Sequence, residues 1–67
     1  MSEDFNMSMR KFLKQVGVTS QQAIEEAFRD AGADKTAGKS FKATMVLTID
    51  GLDVVHRIEG TISNPPG

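Results

Sequence analysis

Hydrophobic residues near the start of the chain recur with the period of an α-helix. At about 3.6 residues per turn the apolar positions fall on one stripe, which consists of Phe5, Met9, Phe12, Leu13 and Val16. Gly17 follows the stripe, and glycine favours the left-handed conformation that ends many helices. The pattern predicts a first helix that ends at Gly17, and Ser2, Asp4 and Asn6 are all candidates for its N-cap.

A second helical pattern follows at once. Thr19 and Gln22 have the spacing of a capping box, which predicts a helix start at Thr19. Apolar residues again share one face as far as Gly32, and these are Ala23, Ile24, Ala27, Phe28 and Ala31. A connection of about three residues would turn the second helix sharply against the first, so the sequence predicts a helical hairpin.

The period changes to two after a polar, glycine-containing connection at residues 33–40. Residues 41–49 and 52–60 alternate between apolar and polar, and Asp50-Gly51 between them favours a two-residue type I′ turn. Such a turn pairs residues whose numbers add up to 101. It would place Met45 opposite His56, Lys42 opposite Glu59, and Val46 opposite Val55.

Together these patterns predict an α+β fold of order α-α-β-β, in which two N-terminal helices forming a hairpin pack on a C-terminal antiparallel β-hairpin. Residues 1–62 are expected to form a single small domain, and residues 63–67 a disordered C-terminal tail. The residues expected to form the core are Phe5, Met9, Phe12, Leu13, Val16, Ile24, Ala27, Phe28, Met45, Leu47, Ile49, Leu52, Val54 and Ile58.

Composition adds two constraints. The chain has 67 residues with eight Lys and Arg against nine Asp and Glu, so it is not a broadly basic nucleic-acid coat protein. It contains no cysteine, which excludes disulfides and thiol catalysis, and small domains without such a staple often depend on association. The acidic N-terminus and short apolar runs suggest a cytoplasmic protein without a membrane span.

No residue constellation indicates catalysis. Gly38-Lys39-Ser40 resembles the end of a phosphate-binding loop, but Ala33 stands where the first glycine is needed, so a flexible linker is expected there. His56 has no predicted nucleophile or orienting carboxylate nearby. We therefore expect no enzyme activity, no catalytic or metal-binding residues, no cofactor and no small-molecule ligand.

Two surfaces are candidates for interaction. Val46 and Val55 form an apolar spot on the otherwise polar face of the predicted hairpin, which indicates either a partner or simply the strand propensity of valine. Arg10, Lys11 and Lys14 form a small basic cluster, which makes a nucleic-acid contact through the first helix the alternative. The acidic second helix argues against this alternative.

Residues 6–21, together with Ala43-Thr44-Met45, resemble a small family of short proteobacterial proteins known as a domain of unknown function. The resemblance implies a free-standing bacterial cytoplasmic protein and brings no catalytic, metal or cofactor residues. The function predicted from the residues is a non-enzymatic protein-interaction or self-association module, with a homodimer or another protein as its partner.

Overall fold

A computed structural model describes residues 2–66. It contains helix α1 (Glu3–Ala31), helix α2 (Ala33–Thr36), strand β1 (Lys39–Thr48) and strand β2 (Val55–Asn64). The α+β class and the α-α-β-β order are therefore confirmed. The described residues form two structural units, with the boundary between Ala33 and Asp34, and each unit is considered by itself. The expectation of one domain over residues 1–62 stays a prediction.

The predicted helical hairpin is wrong, because α1 continues through Gly17 as one helix of 29 residues. Gly17 has no positive φ, so it does not act as a helix terminator. The hydroxyl of Thr19, predicted to cap a second helix, instead donates to the backbone carbonyl of Gln15 at 2.9 Å. A break here would leave up to four amides and four carbonyls unpaired, whereas glycine within a helix costs only about 1 kcal/mol.

The ends of α1 have recognisable caps. Ser2 is the N-cap, and its hydroxyl accepts a hydrogen bond from the backbone amide of Phe5 at 3.2 Å. Glu3 and Asp4 lie in the first turn, where negative charge complements the helix dipole. At the other end Gly32 has a φ of 88° and donates to the carbonyl of Phe28 at 3.1 Å, so the predicted stop at Gly32 is confirmed.

The segment expected to be a flexible linker is ordered. Residues 33–36 form α2, Gly38 turns the chain with a φ of 77°, and Lys39 and Ser40 already belong to β1. The Gly38 amide donates to the carbonyl of Asn64 at 2.6 Å. β2 accordingly includes two residues that sequence analysis assigned to the tail, and the hydroxyls of Ser40 and Ser63 lie 2.9 Å apart. Gly67 lies outside the described residues.

The strands pair antiparallel, but with a different register from the predicted one. The numbers of paired residues add up to 103 instead of 101, so Met45 faces Ile58 and Leu47 faces His56. The Asp50-Gly51 turn exists, closed by a hydrogen bond from the Leu52 amide to the Ile49 carbonyl at 3.1 Å. Since positive φ occurs at Gly51 and not at Asp50, the turn is not type I′, and residues 49–54 form a longer connection between the strands.

The change of register preserves the predicted faces of the hairpin. Slipping one strand by two residues returns every side chain to the side of the sheet that it had before. One face carries the odd-numbered residues of β1 and the even-numbered residues of β2, and the other face the reverse. The alternation was therefore interpreted correctly even though the individual pairs were not.

The predicted core is wrong as well. Within residues 2–66 no hydrophobic side chain is buried, and Thr36 is the one buried residue, at 5% exposure. Fourteen large hydrophobic residues are exposed, and others such as Val16, Leu47 and Val54 are half-buried. A single helix has one apolar stripe and a two-stranded sheet has one apolar row, and neither element can cover its own apolar side.

Candidate interaction surfaces

A long apolar surface follows α1. Because α1 is continuous, the two stripes predicted for separate helices join through Ser20 into one, which we call the α1 stripe, while Phe28 lies to the side of it. It consists of Phe5, Met9, Phe12, Leu13, Val16, Ser20, Ala23, Ile24, Ala27 and Ala31. Phe12 and Leu13 are 50% and 52% exposed, so about half of each side chain remains in contact with water. Single exposed apolar residues are ordinary, whereas a contiguous stripe marks an interaction site.

The spacing of the stripe suits a long, nearly straight contact. Its positions repeat every eleven residues, as in Phe5, Val16 and Ala27. At about 100° per residue, eleven residues complete three turns with only about 20° of drift. The stripe therefore stays on one side of the helix over its length of about 44 Å. Sequence reasoning missed this continuity, although the eleven-residue repeat is visible in the sequence.

Size and charge are unequally distributed along α1. The first half of the stripe carries large side chains, and the second half is mostly Ser and Ala, with Ile24 as the exception. Arg10, Lys11 and Lys14 lie in the first half, away from the stripe, while residues 25–30 carry three acidic groups and one basic group. All of these charged residues are exposed. The helix therefore has a bulky, basic segment and a slender, acidic segment.

The predicted basic cluster is thus present as an exposed patch on α1. The positions of Arg10, Lys11 and Lys14 span about 100° of the helix circumference. The comparison with a helix-turn-helix no longer applies, because the helix that would read the major groove is the second part of α1 itself.

On the hairpin, one face carries an apolar row that includes Phe41, Met45 and Ile58. Met45 and Ile58 are directly paired, and both are exposed. His56 lies on the same face, opposite Leu47. Within the described residues no group of three or more His, Asp or Glu side chains is close enough to hold a metal ion.

Val46 and Val55 lie on the opposite face, but not as the direct pair that sequence analysis predicted. Val46 faces Arg57 and Val55 faces Thr48, which makes the two valines diagonal neighbours. They are 53% and 77% exposed. The spot is therefore an accessible apolar patch between polar neighbours, and its role as an interaction surface stays a prediction.

Glu59 organises the charges on that same face. Its Oε2 accepts from the guanidinium of Arg57 at 2.9 Å and lies 3.1 Å from the ammonium nitrogen of Lys42. The hydrogen bond from Arg57, and then that from Lys42, hold the pKa of the Glu59 carboxyl below its usual value. The predicted partnership of Lys42 and Glu59 is present, but as a diagonal contact, because Lys42 is paired with Thr61.

A polar contact that sequence analysis did not anticipate closes the end of the hairpin. The side-chain amide of Asn64 donates to the buried hydroxyl of Thr36 at 3.1 Å, joining α2 to the end of β2. A local sequence signal for this contact does not exist, since the residues are 28 positions apart.

The comparisons with known proteins identify a family but no activity. Residues 1–65 match the model of a family described as "Family of unknown function (DUF6494)". Neither the curated proteins nor the solved structures contain a match to the chain. No helix within residues 2–66 combines the length and the apolar character that crossing a bilayer requires.

Proposed function

Because the chain belongs to the DUF6494 family, whose function is unknown, its role has to be argued from its own surfaces, and we propose that it is a non-enzymatic interaction module that self-associates. The observation that carries this proposal is the exposure of the apolar residues. Fourteen large hydrophobic side chains are exposed, and none in residues 2–66 is buried. A second protein surface is what would remove them from water.

The size of the chain supports the same proposal. Domains of fewer than about 70 residues rarely obtain more than about 3–5 kcal/mol from a single hydrophobic core. With no buried hydrophobic side chain among the described residues and no cysteine for a disulfide, this chain lacks the common sources of stability. Association would supply the missing burial, and folding would then be coupled to protein concentration.

Sedimentation equilibrium over a range of about 5–500 μM tests the proposal. We expect the average mass to rise above the 7.3 kDa of one chain as the concentration increases. Leu13→Glu, which places a charge on the α1 stripe, should shift association to higher concentration. Gln21→Glu, which adds the same charge away from the stripe, serves as the control. A monomer with full helical circular dichroism at 500 μM would refute self-association.

A second candidate function is nucleic-acid binding through Arg10, Lys11 and Lys14. It is favoured by the exposure of all three cations on one sector of α1. It predicts salt-sensitive binding to DNA or RNA that is lost when all three become Glu. Fluorescence anisotropy with labelled oligonucleotides at about 20 mM salt, where the screening length is long, is the appropriate assay. No binding under these conditions would eliminate it.

A further inference from the structure

We infer that the occupant of the α1 stripe is the α1 stripe of a second copy of this chain, running antiparallel. This rests on the proposed self-association and specifies its geometry. In the pairing, opposed residues have numbers that add up to 36, so that the centre of symmetry lies at residue 18. Three features of α1 lead to this arrangement: the size gradient of the stripe, its charge gradient and its exposed area.

Size complementarity determines the direction. In the antiparallel register Phe5 lies opposite Ala31, Met9 opposite Ala27, and Leu13 opposite Ala23. Phe5, Met9 and Leu13 each meet an alanine, whereas Phe12 meets Ile24 on either side of the centre. Large side chains are thus present towards both ends of the pair, so the two helix axes can keep a separation of about 8–10 Å along their length. A parallel pair would place Phe12 against Phe12 and Ala27 against Ala27. The large side chains would then hold the two helices apart at one end, and the small side chains would leave a gap between them at the other end.

Charge complementarity selects the same direction. With numbers adding up to 36, the basic segment at residues 10–14 lies alongside residues 22–26 of the second copy. Arg10 is then level with Glu26, and Lys11 with Glu25. A parallel pair would instead set basic against basic and acidic against acidic. The antiparallel arrangement also opposes the two helix dipoles, whose ends carry about half a charge each. These long-range electrostatic interactions determine the orientation of the two helices more than they increase the affinity.

The exposed area is sufficient for a specific interface. Five large residues of the stripe, namely Phe5, Met9, Phe12, Leu13 and Ile24, are between 37% and 52% exposed. Aromatic side chains bury about 150–250 Å² when fully covered, and Met, Leu and Ile bury less, so each of the five has at most about 100 Å² left to bury. Two copies therefore contribute up to about 1,000 Å² from these residues alone, which is the size at which specific interfaces begin.

Spin labels on the outer surface of α1 test the direction. The chain has no cysteine, so Met7→Cys and Gln22→Cys each introduce one labelling site per copy, away from the stripe. In the antiparallel register the two Met7 positions are separated by about 33 Å along the axis and the two Gln22 positions by about 12 Å. We expect double electron–electron resonance to give a clearly longer distance for the first variant. Equal short distances for both would indicate a parallel pair and overturn the inference.

Charge reversal provides an independent readout. R10E/K11E/K14E should weaken dimerisation by about tenfold at low salt, because two acidic segments then lie alongside each other at the same level of the pair. Adding E25K/E26K to that variant should restore most of the lost affinity. If the second change fails to restore association, the pairing of basic and acidic segments is wrong.

The outcomes separate this inference from the proposed function. A dimer with equal label distances, or one that keeps its affinity when Leu13 becomes Glu, overturns the antiparallel α1 contact but leaves self-association standing. Equal distances would indicate a parallel α1 pair, whereas an affinity unaffected by Leu13→Glu would indicate the apolar face of the hairpin. A monomer at all concentrations overturns both.

Discussion

Replacing Gly17 with Ala tests the continuity of α1, on which the antiparallel α1 contact depends. Gly17 lies in the middle of a 29-residue helix without a positive φ, and a Cβ at this position would have no atom within 4 Å apart from its chain neighbours and the backbone of the helix itself. The new methyl group therefore meets no steric obstacle. We expect G17A to stabilise the helix.

The magnitude follows from helix propensity. Alanine is favoured over glycine in a helix interior by about 0.8–1.0 kcal/mol, mainly because glycine loses more backbone entropy on folding. Since Gly17 makes no side-chain contact and lies to the side of the α1 stripe, no tertiary term offsets this gain. About 1 kcal/mol corresponds to a roughly fivefold shift of the equilibrium between helix and coil.

The assay is chemical denaturation followed by circular dichroism at 222 nm, together with amide exchange by NMR around residues 14–21. Wild type and G17A are compared at one protein concentration, because association contributes to apparent stability. The matched control is Gly32→Ala. With a φ of 88° at Gly32, alanine there should destabilise the chain by about 1 kcal/mol.

The result that would refute this reasoning is destabilisation by G17A together with faster exchange at residues 17–20. A chain that turns at Gly17 with a positive φ would behave in this way, because alanine is strained in that conformation. The helical hairpin expected from the sequence would then be correct, and the continuous stripe would not exist.

Three further predictions concern the C-terminal unit. The NMR titration of the Glu59 carboxyl should give a pKa below 4.5, and Arg57→Gln should raise it more than Lys42→Gln does. A carboxyl whose pKa is lowered by folding stabilises the fold above its unfolded pKa, so this contribution should be lost as the pH falls below about 4.5 and passes through the folded value. Asn64→Ala removes the hydrogen bond to the buried hydroxyl of α2 and should cost about 1 kcal/mol, seen as faster amide exchange in β2; unchanged exchange would contradict the role given to this contact. Gly51→Ala forces alanine to a φ of 89° and should lower the melting temperature of the hairpin; an unchanged melting temperature would show that the turn differs from the one described.

The apolar pattern of residues 5–31 correctly predicted helical structure, but the break predicted at Gly17 was wrong. Gly17 and Thr19 have the residue types of a helix stop and a helix start, and local rules cannot distinguish these roles from a glycine within a helix and a threonine bonded to the preceding turn. The spacing of the apolar residues indicates a continuous helix, because the eleven-residue repeat continues across Gly17 without a change of phase.

The hairpin shows a different limit. Alternation determined which residues share a face, and it was correct for both strands. It could not determine the pairs, because registers that differ by two residues give the same faces. The choice between them depended on the backbone of the turn, where Asp50 does not adopt the positive φ that the shorter connection requires.

Periodicity and chain order thus determined by themselves that this protein has helix before sheet, apolar residues at helical spacing between residues 5 and 31, and one apolar sheet face, because these features follow from neighbours close in sequence. The tertiary structure alone decided that α1 is unbroken, that β1 and β2 pair with numbers adding up to 103, and that Asn64 reaches Thr36. It also decided that the apolar residues remain exposed, since burial depends on which surfaces meet and not on which residues alternate.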